Sequence, residues 1–236
     1  MTFSELWKRF VWAVYPKRCP GCGGVIRPED DFCESCRSAF LPVPGCDPGD
    51  RGLGSGRTAS RFVYAGPAAE TIKRYKFRGE RDLADIIAVW MRDAYDVCYA
   101  GERFDAAVSV PTGESCLDEA DFDYNGELAG RFCAMASLPY HPELLLRVRE
   151  CARQTRFGAA ERFENVRGAF SASPEARGLR VLVVDDIITT GATVSECAHA
   201  LLAAGALSVD AVTAAAAFTS GTEPQDITRT ERAGAE

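Results

Sequence analysis

The chain has 236 residues, is 47% apolar and 26% charged, and carries a net charge of −7. That length allows one substantial domain plus a small one, and the composition is that of an ordinary globular protein. The negative balance argues against a surface coated for nucleic acid, and the longest apolar runs, such as 212–218, fall short of the roughly 18 residues of a membrane helix, which excludes stable membrane insertion. The charge is uneven: residues 1–81 hold 14 Lys/Arg against 9 Asp/Glu, a balance that fits either a phosphate-facing surface or ordinary scatter.

At the start of the chain, Trp7, Phe10, Val11 and Val14 recur at helical spacing, interrupted by Lys8 and Arg9, with no small-residue cleavage site after them. The pattern predicts a short amphipathic helix docked on the protein, not a signal peptide, and hence a cytoplasmic chain whose ten cysteines form no disulfides. Next come two C-x2-C pairs, Cys19 with Cys22 and Cys33 with Cys36, ten residues apart. Each pair offers two thiolates from one tight turn, where Gly21 and Gly23 relieve backbone strain. Together they complete a closed tetrahedral site for structural Zn2+. Unrelated free thiols and a redox pair are the rival readings, but doubled pairs in a Gly/Pro-rich segment fit a metal better. Residues 1–45 therefore read as the N-terminal helix plus a four-cysteine zinc ribbon.

Pro and Gly crowd the following stretch, and 46–57 reads as a linker. A short strand over 61–64 leads to a helix over 67–75 and then Lys76-Phe77-Arg78-Gly79. From Arg81 onward, Leu83, Ile86, Ile87, Trp90 and Met91 share one helical face. A strand over 104–110 ends in Pro111-Thr112-Gly113, and a helix follows around 127–135. Residues 180–185 form the central strand, 192–204 a helix closed by Gly205, and 209–218 a last strand. Strands alternating with helices predict an α/β fold, an open and mainly parallel sheet over 58–222, with ligands at the carboxyl ends of its strands. The polar tail, 223–236, reads as disordered.

Residues 181–193, Val-Leu-Val-Val-Asp-Asp-Ile-Ile-Thr-Thr-Gly-Ala-Thr, are the most informative stretch. Four apolar β-formers read as a buried parallel strand, and a tight turn entering a helix presents N–H groups that hold a phosphate. Asp185 and Asp186, just before that turn, can accept hydrogen bonds from vicinal hydroxyls. Phosphate plus diol describes a ribose 5-phosphate. The bland alternative is a strand whose acids begin a turn and whose Thr193 caps a helix. A phosphate-loop nucleotidase is excluded because the chain has no Gly-Lys pair, and Gly52-Leu53-Gly54-Ser55-Gly56 lacks the strand and spacing of a dinucleotide fingerprint.

This 13-residue pattern resembles the loop of type I phosphoribosyltransferases that binds 5-phosphoribosyl 1-pyrophosphate (PRPP). With a four-cysteine ribbon before it, the whole resembles the ComF family, which includes competence proteins and GntX-like proteins. Further matches support it. Lys76-Phe77-Arg78-Gly79 is similar to the family's Lys-aromatic-x-Gly element, and Val108-Ser109-Val110-Pro111 to its strand ending in Val-Pro. Arg147, Gln154, Thr155, Arg162, Asn165, Val166, Gly168, Ala169 and Phe170 match its R…QT…R-x-x-N-V-x-G-A-F segment. One departure is plain: where the family carries a basic R-x-x-x-R-G-F-N-Q loop, Asp118, Glu119, Asp121 and Asp123 stand here, and only Tyr124-Asn125 survives.

The resemblance implies a type I phosphoribosyltransferase fold, Rossmann-like with a mainly parallel sheet, joined to the zinc ribbon. It implies that Asp185 and Asp186 take the ribose hydroxyls and are the residues of any catalysis. Thr189, Thr190, Gly191, Ala192 and Thr193 wrap the 5-phosphate. Thr112 and Gly113 lie near pyrophosphate with Mg2+, and Gln154 and Arg162 belong to a lid. Three functions follow. The first is a PRPP-binding protein of DNA uptake, with single-stranded DNA or a helicase-like competence-machinery protein as partner; the second is a catalytic phosphoribosyltransferase of nucleotide salvage. The third is a zinc-ribbon interaction protein with a vestigial PRPP site.

Overall fold

The computed structural model describes residues 16–44, 56–113, 122–151 and 159–218. The amphipathic N-terminal stretch, most of the linker, Cys46, Cys116, Asp118, Glu119, Asp121, Gln154, Thr155 and the polar tail lie outside the described residues. In chain order the elements are α1 Glu34–Ser38, β1 Thr58–Val63, α2 Gly66–Arg78, α3 Leu83–Cys98, β2 Ala106–Ser109, α4 Tyr124–Ala136, β3 Leu145–Arg147, α5 Ala159–Val166, β4 Phe170–Ala172, β5 Arg180–Ile188, α6 Ala192–Ala203 and β6 Ser208–Ala216. Among the described residues no helix is long and apolar enough to cross a membrane.

Strands β1, β6, β5 and β2 pair in that order, all parallel, into one four-stranded sheet. Strand β5 lies inside it, and its run Val181, Leu182, Val183 and Val184 is at most 1% exposed. Successive side chains of a strand point to opposite faces. Leu182 and Val184 accordingly pack with Ile72 and Tyr75 of α2, Ile87 and Met91 of α3 and Phe132 of α4. Val181 and Val183 pack on the other side with Val194 and Leu201 of α6. The sheet is thus covered on both faces, which is why the β5 run Val181–Val184 is apolar rather than alternating.

Several boundaries differ from the expectation, each for a local reason. Strand β5 continues past Asp185 to Ile188, because Ile187 and Ile188 are β-formers that pair with Ala215 and Ala216 of β6. The acidic pair therefore sits inside the strand, not at its end. Helix α2 runs three residues beyond Tyr75, to Arg78, and stops at Gly79 with φ +65°. The antiparallel hairpin of β3 and β4 has only three residues per strand, too short for a periodic signal. Cys98, at the end of α3, is disulfide-bonded, against the expectation of unpaired thiols; the other described cysteines are free.

The cysteine module shares its core with the sheet's helices. Cys19, Ile26, Phe32 and Cys36 are buried in the same cluster as Ile72, Ile87 and Met91. Phe32, Phe40, Phe62 and Trp90 interlock, with the Phe40 and Phe62 rings 4.6 Å apart and Phe62 edge-on to Trp90 at 5.2 Å. Gly21 allows the closest approach: a Cβ there would lie 2.9 Å from both the Cys36 Sγ and the Pro67 Cβ. Arg74 of α2 completes the joint. Its Nη1 donates to the carbonyls of Cys19 (2.8 Å) and Pro20 (2.9 Å), while Nε donates to Glu80 at 2.8 Å.

Candidate functional site

Asp185 and Asp186 are 9% and 3% exposed. Buried carboxylates persist only where partners answer them, and each has one supplied by a distant element. Lys76, near the end of α2, places Nζ 2.8 Å from Asp186 Oδ2, and the Tyr124 ring lies 4.5 Å from the same ammonium. Asn125, in the first turn of α4, donates from Nδ2 to Asp185 Oδ1 at 3.0 Å and to the Val110 carbonyl at 3.2 Å. The backbone N–H of Asp186 also donates to Asp185 Oδ1 at 3.0 Å.

This arrangement sets the charge of the pair. Burial, reinforced by the neighbouring Asp186, pushes the Asp185 carboxyl up to about 7, against the pull of Lys76 and Asn125. For Lys76 burial works toward the neutral form, but Asp186, Tyr124 and Asp185 outweigh it and the ammonium is held above its ordinary range. Lys76 and Asn125 are the residues in contact with the acidic pair that sequence reasoning did not assign to the site. Both stood in stretches already singled out, the Lys-aromatic-x-Gly element and the Tyr-Asn pair. The further signal was a lysine directly beside Tyr75, on a helix whose inward face is apolar.

The turn after β5 leads directly into α6. Gly191 takes φ +81°, a conformation that L side chains rarely adopt, and caps α6, which starts at Ala192. The first N–H groups of a helix have no acceptor within it and attract an anion. The Ala192 N–H meets Thr190 Oγ1 at 3.4 Å. Around this turn Thr189 is exposed, Thr190 and Thr193 are half-buried, and Gly191 and Ala192 are buried.

Strand β2 ends beside it, since Val110 N–H donates to the Val184 carbonyl at 3.0 Å. Thr112 and Gly113 follow that strand end, in acidic company. Thr112 donates to Asp123 Oδ1 at 2.8 Å, and Asp123 in turn accepts from the Gly126 N–H and caps α4. A Cβ on Gly113 would lie 2.9 Å from Glu150 Oε2. Arg147 holds the loop from beneath through Nε to the Pro111 carbonyl at 3.1 Å, with its guanidinium over the Phe170 ring at 4.9 Å. Arg162 sits on α5, and no hydrogen bond or ion pair joins it to the acidic pair among the described residues. Gln154 lies outside the described residues.

The four predicted metal ligands converge. The Sγ atoms of Cys19, Cys22, Cys33 and Cys36 all lie within 4.8 Å of one another. A tetrahedral zinc–thiolate site, with Zn–S of about 2.3 Å, spaces its sulfurs about 3.8 Å apart; Cys22 and Cys33 are at 3.7 Å. Backbone N–H groups aim at the sulfurs, Cys33 N–H at Cys19 Sγ and Cys36 N–H at Cys33 Sγ, each 3.4 Å. Burial works against a Cys19 thiolate, but backbone N–H groups of Cys33, Cys22 and Gly21 bring its thiol down to about 7. The donor set fits a metal ion such as zinc.

Residues 135–231 match the family model described as phosphoribosyl transferase domain, a span that contains the acidic pair and its turn but not the four clustered cysteines, Lys76 or Asn125. The DNA utilization protein YhgH of Escherichia coli (strain K12) is 27% identical over 204 residues, covering 81% of this chain and 86% of that protein. Competence protein ComFC of Bacillus subtilis (strain 168) is 23% identical over 203 residues, 77% of this chain and 82% of that protein. Competence protein F of Haemophilus influenzae is 26% identical over 192 residues, 78% and 80% respectively.

Proposed function

We propose that this chain, a ComF-family protein with a phosphoribosyltransferase-like domain, binds PRPP and serves the uptake or use of imported DNA, as the names of its relatives suggest. The observation that carries the ligand is the carboxylate pair of β5, fixed by Lys76 and Asn125, one turn before the Gly191 cradle. Asp185 and Asp186 accept the ribose hydroxyls. Thr189, Thr190, Gly191, Ala192 and Thr193 receive the 5-phosphate, and Thr112 and Gly113 face the pyrophosphate with Mg2+. The four-thiolate cluster holds structural zinc and braces α2.

Binding is favoured over transfer. Displacement of pyrophosphate needs positive charge at the leaving group, and Asp123 and Glu150 flank the loop that would hold it. Direct contact of the ribbon with DNA is weakly supported as well. Lys17 pairs with Asp31 at 3.3 Å and Arg27 with Asp30 at 2.9 Å, so much of the ribbon's positive charge is answered within it. A protein partner of the competence machinery fits this surface better than single-stranded DNA.

The test is PRPP titration followed by assay of pyrophosphate release over a panel of bases. Saturable binding without release supports a PRPP-responsive component, whereas release with one base supports the salvage-enzyme reading. Binding to single-stranded DNA, followed against salt, measures the nucleic-acid contribution separately.

A further inference from the structure

Two adjacent carboxylates in a buried strand cannot both stay ionised without an opposing charge, because burial and mutual repulsion both favour the neutral form. A bound divalent cation is often the largest local charge in a phosphate site. Here the protein carries a charge of its own at that place. Lys76 Nζ sits 2.8 Å from Asp186 Oδ2, with side chains only 16% and 5% exposed. The ammonium is confined by the Tyr124 ring, 4.5 Å away. Its helix is tied to α4 by the Tyr75 hydroxyl, which donates to the Tyr124 carbonyl at 2.7 Å, and to the cysteine module by Arg74. Asp185 is answered by the Asn125 amide.

We propose that Lys76 is the resident counter-ion of the ribose pocket, so that the chain holds the ribose 5-phosphate part of a ligand without a divalent ion. The inference rests on the PRPP-site reading above. The demand for a divalent ion then lies at the other end of the pocket, where Asp123 engages Thr112 and Glu150 lies against Gly113. It arises only with a ligand that brings an anomeric pyrophosphate to those acids. Ribose 5-phosphate and PRPP should therefore differ in their response to magnesium.

The experiment titrates the full chain with ribose 5-phosphate and with PRPP, each with and without magnesium chloride. Divalent ions are removed by resin treatment of the buffer rather than a soluble chelator, which keeps the thiolate-bound metal in place. Wild type is expected to bind ribose 5-phosphate equally well in both buffers, and PRPP more tightly, by about tenfold, with magnesium. Lys76→Met is expected to bind ribose 5-phosphate about tenfold more weakly without magnesium and to regain part of that loss when it is added. Lys76→Arg keeps the charge and should follow wild type. Should the methionine variant not fold, the wild-type and arginine arms still decide. Ribose 5-phosphate binding that requires magnesium in wild type overturns the inference, as does full metal-free binding by folded Lys76→Met or a PRPP affinity indifferent to magnesium. A wild type that binds neither ligand in either buffer overturns the PRPP-site reading itself, and the inference with it.

Discussion

The Arg74 guanidinium donates to the Cys19 carbonyl at 2.8 Å, so the first cysteine of the four-cysteine cluster is tied to the helix that carries Lys76. Arg74 is 9% exposed; its removal would take a donor from the Pro20 carbonyl and from Glu80 and leave the Cys19 carbonyl with the Gly23 N–H alone. Arg74→Ala should lower stability by about 3 kcal/mol, read from urea denaturation. Unchanged stability would show that the joint between module and sheet does not depend on this contact.

Because the module's buried residues belong to the same core as α2 and α3, the cysteine cluster should not unfold independently. Wild type should contain about one zinc per chain by metal analysis, the content of a single four-ligand site. Cys33→Ser should lose it and move the unfolding of the entire chain to lower denaturant in one transition. A separate early transition, with the main one unmoved, would show that the module is autonomous.

Gly21→Ala tests the closeness of that packing. Its added methyl meets Cys36 Sγ and Pro67 at 2.9 Å. Overpacking of this kind costs about 1–3 kcal/mol. Release of metal to a chromophoric chelator should be faster in the variant than in wild type, and an equal rate would mean the turn has room to shift.

The two acids of β5 should respond differently to substitution. Asp186→Asn strips Lys76 of its buried counter-ion and should destabilise the chain by about 3–5 kcal/mol, whereas Asp185→Asn keeps an acceptor for Asn125 and removes a repulsive charge. The pH dependence has a definite sign. The Asp185 carboxyl stands at about 7 in the folded chain and at about 3.9 unfolded. Between those values the folded state binds more protons, so Asp185 subtracts stability as pH rises from about 4 to about 7. The stability of Asp185→Asn relative to wild type should therefore grow across that window and level off above it. A difference independent of pH would place Asp185 at an ordinary carboxylate value.

The strand and the turn that follows it were legible from local pattern alone. Val181 to Val184 are apolar because β5 is buried on both faces, and Gly191 marks the one position in the turn with positive φ. The cysteine cluster was legible for a similar reason, since each C-x2-C pair is a local turn. Lys76 and Asn125 were not, because their partners come from β5, far away in the chain, and periodicity carries no information about pairing across elements. The continuation of β5 through Asp185 and Asp186 was hidden by the same fact: two acids read as the end of a strand until the cation and amide that satisfy them are seen. The acidic surroundings of Thr112 and Gly113 were half visible. Asp123 stood in the departure from the family pattern, but its bond to Thr112 and the approach of Glu150 to Gly113 depend on how β2, α4 and β3 meet.

Calorimetric titration of the full chain with PRPP in the presence of Mg2+ tests the ligand assignment most directly. The carboxylate pair and the Gly191 turn predict saturable binding at about one site per chain, weakened by about 1–3 kcal/mol in Asp185→Asn through a lost charged hydrogen bond. Absence of any binding heat from PRPP, in a folded chain that retains its metal, would contradict it.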